Sequence, residues 1–325
     1  MQGEPMTIKD TKSSITSMNY EATGNSLAVT TFDGFVKIYN TATGRLQTVL
    51  NAHGSAAENE SLTFTSVKWK PEWDGMQRRM SRVLIATASN GLVMRYDLTG
   101  RDSYRVDQSQ KELGNSLSCM DFSIDGSKYI VGGVDRKLYV YDEETMKLES
   151  TLYGRNRIPG HQNRIYGIKG HPNNPNVFVS AGWDRSVKVY DIRARTLVCS
   201  MGGPSIAGDS IDIYDDMVVT GSNRNHDVMQ MFSLSMQKRI FSFNYSPQSL
   251  LKANEGYSLA TKFTNEGSFI ITGGAGRNEL KMILNDSETD AEFPVHLETY
   301  RLPSPVYALD TNKSADQFAF GLETG

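Results

Sequence analysis

Residues 181–191 read Ala181-Gly182-Trp183-Asp184-Arg185-Ser186-Val187-Lys188-Val189-Tyr190-Asp191: the close of one strand, a polar turn, then a strand ending in an aromatic–acid pair. The ending recurs three times upstream, as Phe35-Val36-Lys37-Ile38-Tyr39-Asn40, Leu92-Val93-Met94-Arg95-Tyr96-Asp97 and Leu138-Tyr139-Val140-Tyr141-Asp142. Each copy follows its own polar turn, Phe32-Asp33-Gly34, Ser89-Asn90-Gly91 or Val134-Asp135-Arg136. A fixed cassette that returns every several tens of residues signals a repeat architecture, in which one supersecondary unit is stacked many times.

Working outward, the third copy gives the clearest unit. Leu117-Ser118-Cys119-Met120-Asp121-Phe122 alternates as a strand should, and Ser123-Ile124-Asp125-Gly126 makes a turn. Strands over 128–133 and 138–141 follow, with 149–153 as a fourth, which makes one antiparallel meander. The same order runs over 15–40, 64–97 and 164–191. It continues in weaker form over 210–233 and 257–284, and a last copy spans 306–322. The count is seven.

Copy four adds Gly160-His161 ahead of its first strand, so that Gly-His, turn aspartate and terminal aromatic-Asp stand in order. With these residues the chain resembles the WD40-repeat β-propeller family, with Tyr-Asp or Tyr-Asn in place of the eponymous Trp-Asp. The resemblance covers nearly the whole chain and implies an all-β, seven-bladed propeller in one domain over 1–325. Its repeats fall at roughly 15–50, 62–106, 115–153, 161–201, 208–243, 257–300 and 305–325, after a closing segment 1–14. The seventh blade is expected to be incomplete at Glu323-Thr324-Gly325, with Met6-Thr7-Ile8-Lys9 supplying a strand to it and one edge left open. Face-to-face packing explains why such units need one another: each four-stranded sheet has two apolar faces that it cannot bury alone.

Composition narrows the function classes. A net charge of −3 argues against binding duplex nucleic acid, which calls for a basic face. Met1-Gln2-Gly3-Glu4-Pro5 has no apolar signal region, no stretch reads as membrane-spanning, and Cys119 and Cys199 both lie in strands. A cytoplasmic protein is expected, and nuclear or cytoskeletal association is compatible with the same features. Among chemistry-bearing residues, Ser180, His161 and Asp184 would suit a nucleophilic triad, but no Gly-x-Ser-x-Gly elbow surrounds Ser180. The resemblance instead assigns these three to a structural hydrogen-bond network. His53, His171, His226 and His296 lack metal-ligand spacing, and Gly273-Gly274-Ala275-Gly276 lacks a phosphate-binding pattern. Neither a metal nor a cofactor is expected, and the chain reads as a non-enzyme.

Function is therefore expected at the surface. The resemblance implies a binding face built from the turns around the aspartates and from the starts of the first strands. The candidates there are Phe32, Arg164, Tyr166, Trp183, Arg185, Tyr257 and Tyr307, with Arg155 and Arg157 in the loop before copy four. Aromatic and arginine side chains dominate binding hot spots, and the charge suits a carboxylate- or phosphate-bearing peptide. The leading reading is a protein–protein interaction scaffold. Two alternatives are a substrate receptor of a cullin-RING ubiquitin ligase, from Tyr190-Asp191-Ile192-Arg193, and a channel-site enzyme. The enzyme is disfavoured because the inner strand starts offer Thr16, Thr65, Ser118 and Tyr166. Arg78-Arg79-Met80-Ser81 resembles a basophilic kinase site at Ser81.

Overall fold

The computed structural model describes residues 6–8, 13–51, 62–72, 82–99, 105–111, 114–154, 158–224, 226–244, 256–264, 267–285, 295–312 and 317–325. Six cassettes fold into four-stranded antiparallel meanders, blades 1 to 6, over 15–50, 64–111, 117–152, 165–202, 211–243 and 257–301. The seventh forms a two-stranded sheet, Val306–Thr311 paired with Phe318–Leu322. The expectation of seven blades is thus corrected to six complete blades and a two-stranded sheet. Met6–Ile8 makes no strand: Ile8 packs beside Met18, Leu27 and Tyr39, and Met6 lies against Gly44 of blade 1. Lys9 and the candidate residues His53, Ser81, Arg155 and Arg157 lie outside the described residues.

Strand position within a blade follows hydrophobic content. Second strands such as Val83–Ala88 in blade 2 are buried along their whole length, because both sheet faces meet a neighbour. The outer strands Leu46–Leu50 and Leu148–Leu152 are largely exposed up to a buried terminal leucine. Between blades, the tyrosine at the end of the third strand in blades 1–4 fills the gap. Tyr141 of blade 3 packs with Ile85 and Val93 of blade 2, and Tyr190 of blade 4 with Ile130 and Leu138 of blade 3. Tyr141 also stacks on Tyr129, with ring centroids 5.1 Å apart. Burying a ring of this size contributes about 1.5–3 kcal/mol, so these tyrosines are principal adhesives between blades.

The circle closes where Val306–Thr311 lies beside the first strand of blade 1, Ile15–Tyr20, with Ala308 against Met18. There Asp310 Oδ2 accepts hydrogen bonds from Tyr20 N at 2.8 Å and Asn19 Nδ2 at 3.0 Å. The same inter-blade bond recurs around the ring. Asn19 Oδ1 accepts from Trp69 N at 2.8 Å, Asp121 from Gly170 N at 2.9 Å and Asp212 from Phe263 N at 2.9 Å. Cys119 and Cys199 are buried free thiols, and burial pushes both up from the ordinary thiol range.

Candidate functional site

Blade 4 carries the best-organised turn. Gly182 and Trp183 fold back so that Trp183 N donates to the Arg164 carbonyl at 3.1 Å. A Cβ on Gly182 would overlap that same carbonyl, so only glycine permits the approach. Asp184 then points inward. His161 Nδ1 lies 2.9 Å from Asp184 Oδ2, His161 Nε2 lies 2.7 Å from Ser180 Oγ, and Gln162 N donates to Asp184 Oδ2 at 3.1 Å. Burial pulls the His161 imidazole below its ordinary value against the raising influence of Asp184. The ring is therefore neutral at pH 7, with Nδ1–H donating to Asp184 and Nε2 accepting from the Ser180 hydroxyl. Burial raises the Asp184 carboxyl, but the hydrogen bonds from His161 and Gln162 N hold it below the usual range.

Ser, His and Asp thus stand in the order of a nucleophilic triad, yet Ser180 is 0% exposed and His161 4%. A nucleophile sealed in this way meets no substrate, and the three residues serve to hold the turn. Other blades brace the equivalent strand with hydroxyl pairs, Thr16–Thr30 at 2.9 Å and Thr65–Thr87 at 3.2 Å.

Outside this buried support stands a cluster of the exposed Trp183 with the half-buried Arg164 and Tyr166. The Arg164 guanidinium lies 4.8 Å from the centre of the Trp183 ring, and Tyr166 packs on the same indole at 5.3 Å. Arg164 Nη1 donates to the Tyr166 hydroxyl at 3.3 Å. Arg185 is exposed beside them at φ 55°, a left-handed conformation that the equivalent Gly34 and Gly91 adopt without a Cβ. Arg164, Tyr166 and Trp183 are therefore brought together, with Arg185 adjoining. Phe32, Tyr257 and Tyr307 are also exposed, but they belong to blade 1, blade 6 and the two-stranded sheet. Tyr307 is pushed up by burial and by the nearby Glu323 carboxylate. Arg193 lies at the opposite end of the third strand of blade 4 from the Trp183 turn, 3.8 Å from Asp191.

Sequence reasoning missed a second constellation. In blades 1–4, blade 6 and the two-stranded sheet, a β-bulge sits at the entry of the first strand, at Thr16, Thr65, Ser118, Tyr166, Leu259 and Tyr307. Asp209 holds the equivalent position ahead of blade 5. Three residues further on, the seven first strands carry Asn19, Lys68, Asp121, Lys169, Asp212, Lys262 and Asp310. The inner strand starts are thus followed by a ring of charge, which corrects the picture of a channel lined by hydroxyls and one tyrosine. Lys169 Nζ pairs with Asp212 at 3.1 Å, while Lys68 and Lys262 reach Asp209 at 2.9 and 3.1 Å. Burial disfavours the Lys169 and Lys68 charges, but the surrounding carboxylates, Asp212 and Asp209 foremost, hold both above the ordinary lysine value. Lys68 Nζ donates a hydrogen bond to Asp209, whereas Lys262 Nζ meets it as an ion pair without one. Among the described residues, no group of three or more His, Cys, Asp or Glu could hold a metal ion.

Meandering four-stranded sheets around a ring of first strands define a β-propeller, and the blade 4 network marks its repeats as WD-type. The family model described as WD domain, G-beta repeat, matches residues 108–142 and 154–191, so the chain carries WD40 repeats. Its relatives include a periodic tryptophan protein 2 homolog of Dictyostelium discoideum, 26% identical over 53% of this chain and 16% of that protein. A U3 small nucleolar RNA-associated protein 4 homolog of Mus musculus is 25% identical over 58% of this chain and 24% of its own length. A U5 small nuclear ribonucleoprotein 40 kDa protein of Dictyostelium discoideum is 28% identical over 26% of this chain and 22% of its own. The chain therefore matches about a quarter or less of each of these proteins.

Proposed function

We propose that this protein is a non-enzymatic interaction scaffold that binds partner proteins through the loop face of blade 4. The observation that carries the reading is the partly exposed Arg164–Tyr166–Trp183 cluster, mounted on the buried His161–Ser180–Asp184 network. A cation stacked on an indole with a phenol alongside is a preformed recognition surface, since little side-chain freedom is lost on binding. Arg185 extends its positive charge, so a segment bearing carboxylates or a phosphate is the ligand it suits. Phe32, Tyr257 and Tyr307 belong to the same reading as secondary contacts on other blades.

Relatives named for the U3 small nucleolar and U5 small nuclear RNA particles support membership in a ribonucleoprotein assembly, and hence a nuclear setting over the cytoplasmic one first expected. No helix among the described residues is long and apolar enough to cross a membrane. In such an assembly the face would contact protein, with RNA held elsewhere in the particle.

The test is affinity purification with mass spectrometry from the native cell, comparing wild type with an Arg164→Glu/Trp183→Ala variant of unchanged circular dichroism. Selective loss of a set of partners is expected. Retention of all of them would move the binding site off blade 4.

A further inference from the structure

The channel of this propeller contains a carboxylate that does not belong to its ring. Six of the seven first strands contribute one charged residue each in regular alternation, and Asn19 contributes the neutral one. Asp209 comes from the loop between blades 4 and 5, at a position that is uncharged in the other six repeats. It is held there deliberately. Ile206 is 0% exposed within the core beneath the loop, and Ile206 N donates to the Gly182 carbonyl at 3.1 Å. Gly203 N donates to Arg185 O at 2.9 Å, and Ser205 O accepts from Asn223 N at 2.8 Å. Gly208 takes φ +120°, and a Cβ there would run into the Leu259 carbonyl, so the approach of the loop to blade 6 depends on glycine.

The two oxygens of this carboxylate serve two lysines on blades that are not neighbours. Asp209 Oδ2 takes Lys68 Nζ of blade 2, and Asp209 Oδ1 takes Lys262 Nζ of blade 6. Those lysine side chains are 6% and 2% exposed, which leaves little water to solvate their charge. The Asp209 side chain retains 21% exposure and so stands at the mouth of the channel, between solvent and two buried ammonium groups.

We infer that Asp209 is an internal counter-anion that straps blades 2, 5 and 6 across the channel and stoppers its mouth. Without it, Lys68 and Lys262 would face each other's charge with only the more distant Asp121 and Asp310 in compensation. A small oxyanion from solvent would then take the vacated place, and the channel would become a carboxylate-binding site. With it, Lys68 and Lys262 both find their counter-charge within the chain, the channel holds four carboxylates to three ammonium groups, and binding by this propeller is confined to the loop face and the outer strands. The strength of the arrangement is visible in the carboxyl itself: burial would raise its pKa, but Lys262 and Lys68 hold it far below the ordinary carboxylate range.

Chemical rescue tests this. Asp209→Ala is expected to lower the Tm by roughly 4 °C, the shift for removing a mostly buried partner of two ammonium groups in a chain of this size. Sodium formate should recover most of that loss, whereas sodium chloride at equal ionic strength and formamide should not, and wild type should ignore formate. A Tm loss that formate and chloride treat alike, or no loss at all, would overturn the inference. A charge-swap cycle needs no added ligand. Lys262→Met should destabilise wild type but raise the Tm of Asp209→Asn, because it removes a buried charge left without its partner. Additive losses in the double variant would overturn the inference equally.

Discussion

Asp310→Ala cuts the bond that closes the circle. The carboxylate is 8% exposed and accepts two hydrogen bonds across the junction, from Tyr20 N and Asn19 Nδ2. Hydrogen bonds to a charged acceptor contribute about 1.5–3 kcal/mol each. Burial pushes this carboxyl up from its ordinary value, which offsets part of the gain and favours the lower figure. The loss is then about 3 kcal/mol, two bonds at the lower figure. At about 2.1 cal/mol/K per residue, a chain of 325 residues has an unfolding entropy of roughly 0.7 kcal/mol/K, which converts the loss to a Tm fall of roughly 4 °C. Differential scanning fluorimetry reads that shift, and hydrogen exchange reads its location, since the Tyr20 amide should lose protection ahead of amides in blade 4. Asp310→Asn keeps an acceptor oxygen and should fall by less. The exposed Glu144→Ala serves as control. An Asp310→Ala protein that melts with the control, with the Tyr20 amide protected as before, would refute the idea that this junction depends on the carboxylate.

Other consequences are open to measurement. Gly182→Ala forces a Cβ onto the Arg164 carbonyl, and overpacking of this kind costs about 2–3 kcal/mol; a Tm unchanged from wild type would count against the tight turn. His161 is neutral in the fold with its pKa held below the ordinary 6.5 by burial. The stability it supplies is therefore complete above pH 6.5 and lost as pH falls below that value toward the folded-state pKa. Urea denaturation of wild type and His161→Gln should show a stability gap that narrows from pH 7.5 to pH 5. A constant gap would mean that the fold leaves the imidazole pKa unshifted, and a widening one that the fold favours its charged form; either refutes the reading.

The repeats were legible because each cassette couples a turn residue to a two-residue alternation, and both survive in sequence with little dependence on context. That logic placed blades 1 to 4 through their terminal tyrosines, and it placed Val218–Gly221 and Phe269–Gly274 in the weaker copies. It failed for Met6–Ile8, whose alternation suits a strand but whose side chains are taken up by the blade 1 surface. The blade 4 cluster was legible in residue type, and Arg164, Tyr166 and Trp183 do meet. Phe32, Tyr257 and Tyr307 share their chemistry but stand on other blades, as the repeat boundaries already implied. The charged ring escaped notice because each member is one polar residue in an ordinary strand. Its alternation appears only when seven strands are aligned on their bulges, and Asp209 precedes the strand that would have drawn attention to it.

Seven is an odd number, and that sets a condition on the ring. Signs that alternate around an even circle close without conflict, whereas around an odd circle two like charges must end up side by side. Going round from Lys68, the order is plus, minus, plus, minus, plus, minus, and the remaining place falls between Asp310 and Lys68. Asn19 occupies it. Its amide nitrogen donates to Asp310 on one side, and its carbonyl accepts from Trp69 N, next to Lys68, on the other. A residue that is donor to one neighbour and acceptor to the other relieves the parity mismatch without adding a charge. Asn19→Asp would place two carboxylates together and Asn19→Lys two ammonium groups, so neutrality at this one place follows from counting the strands.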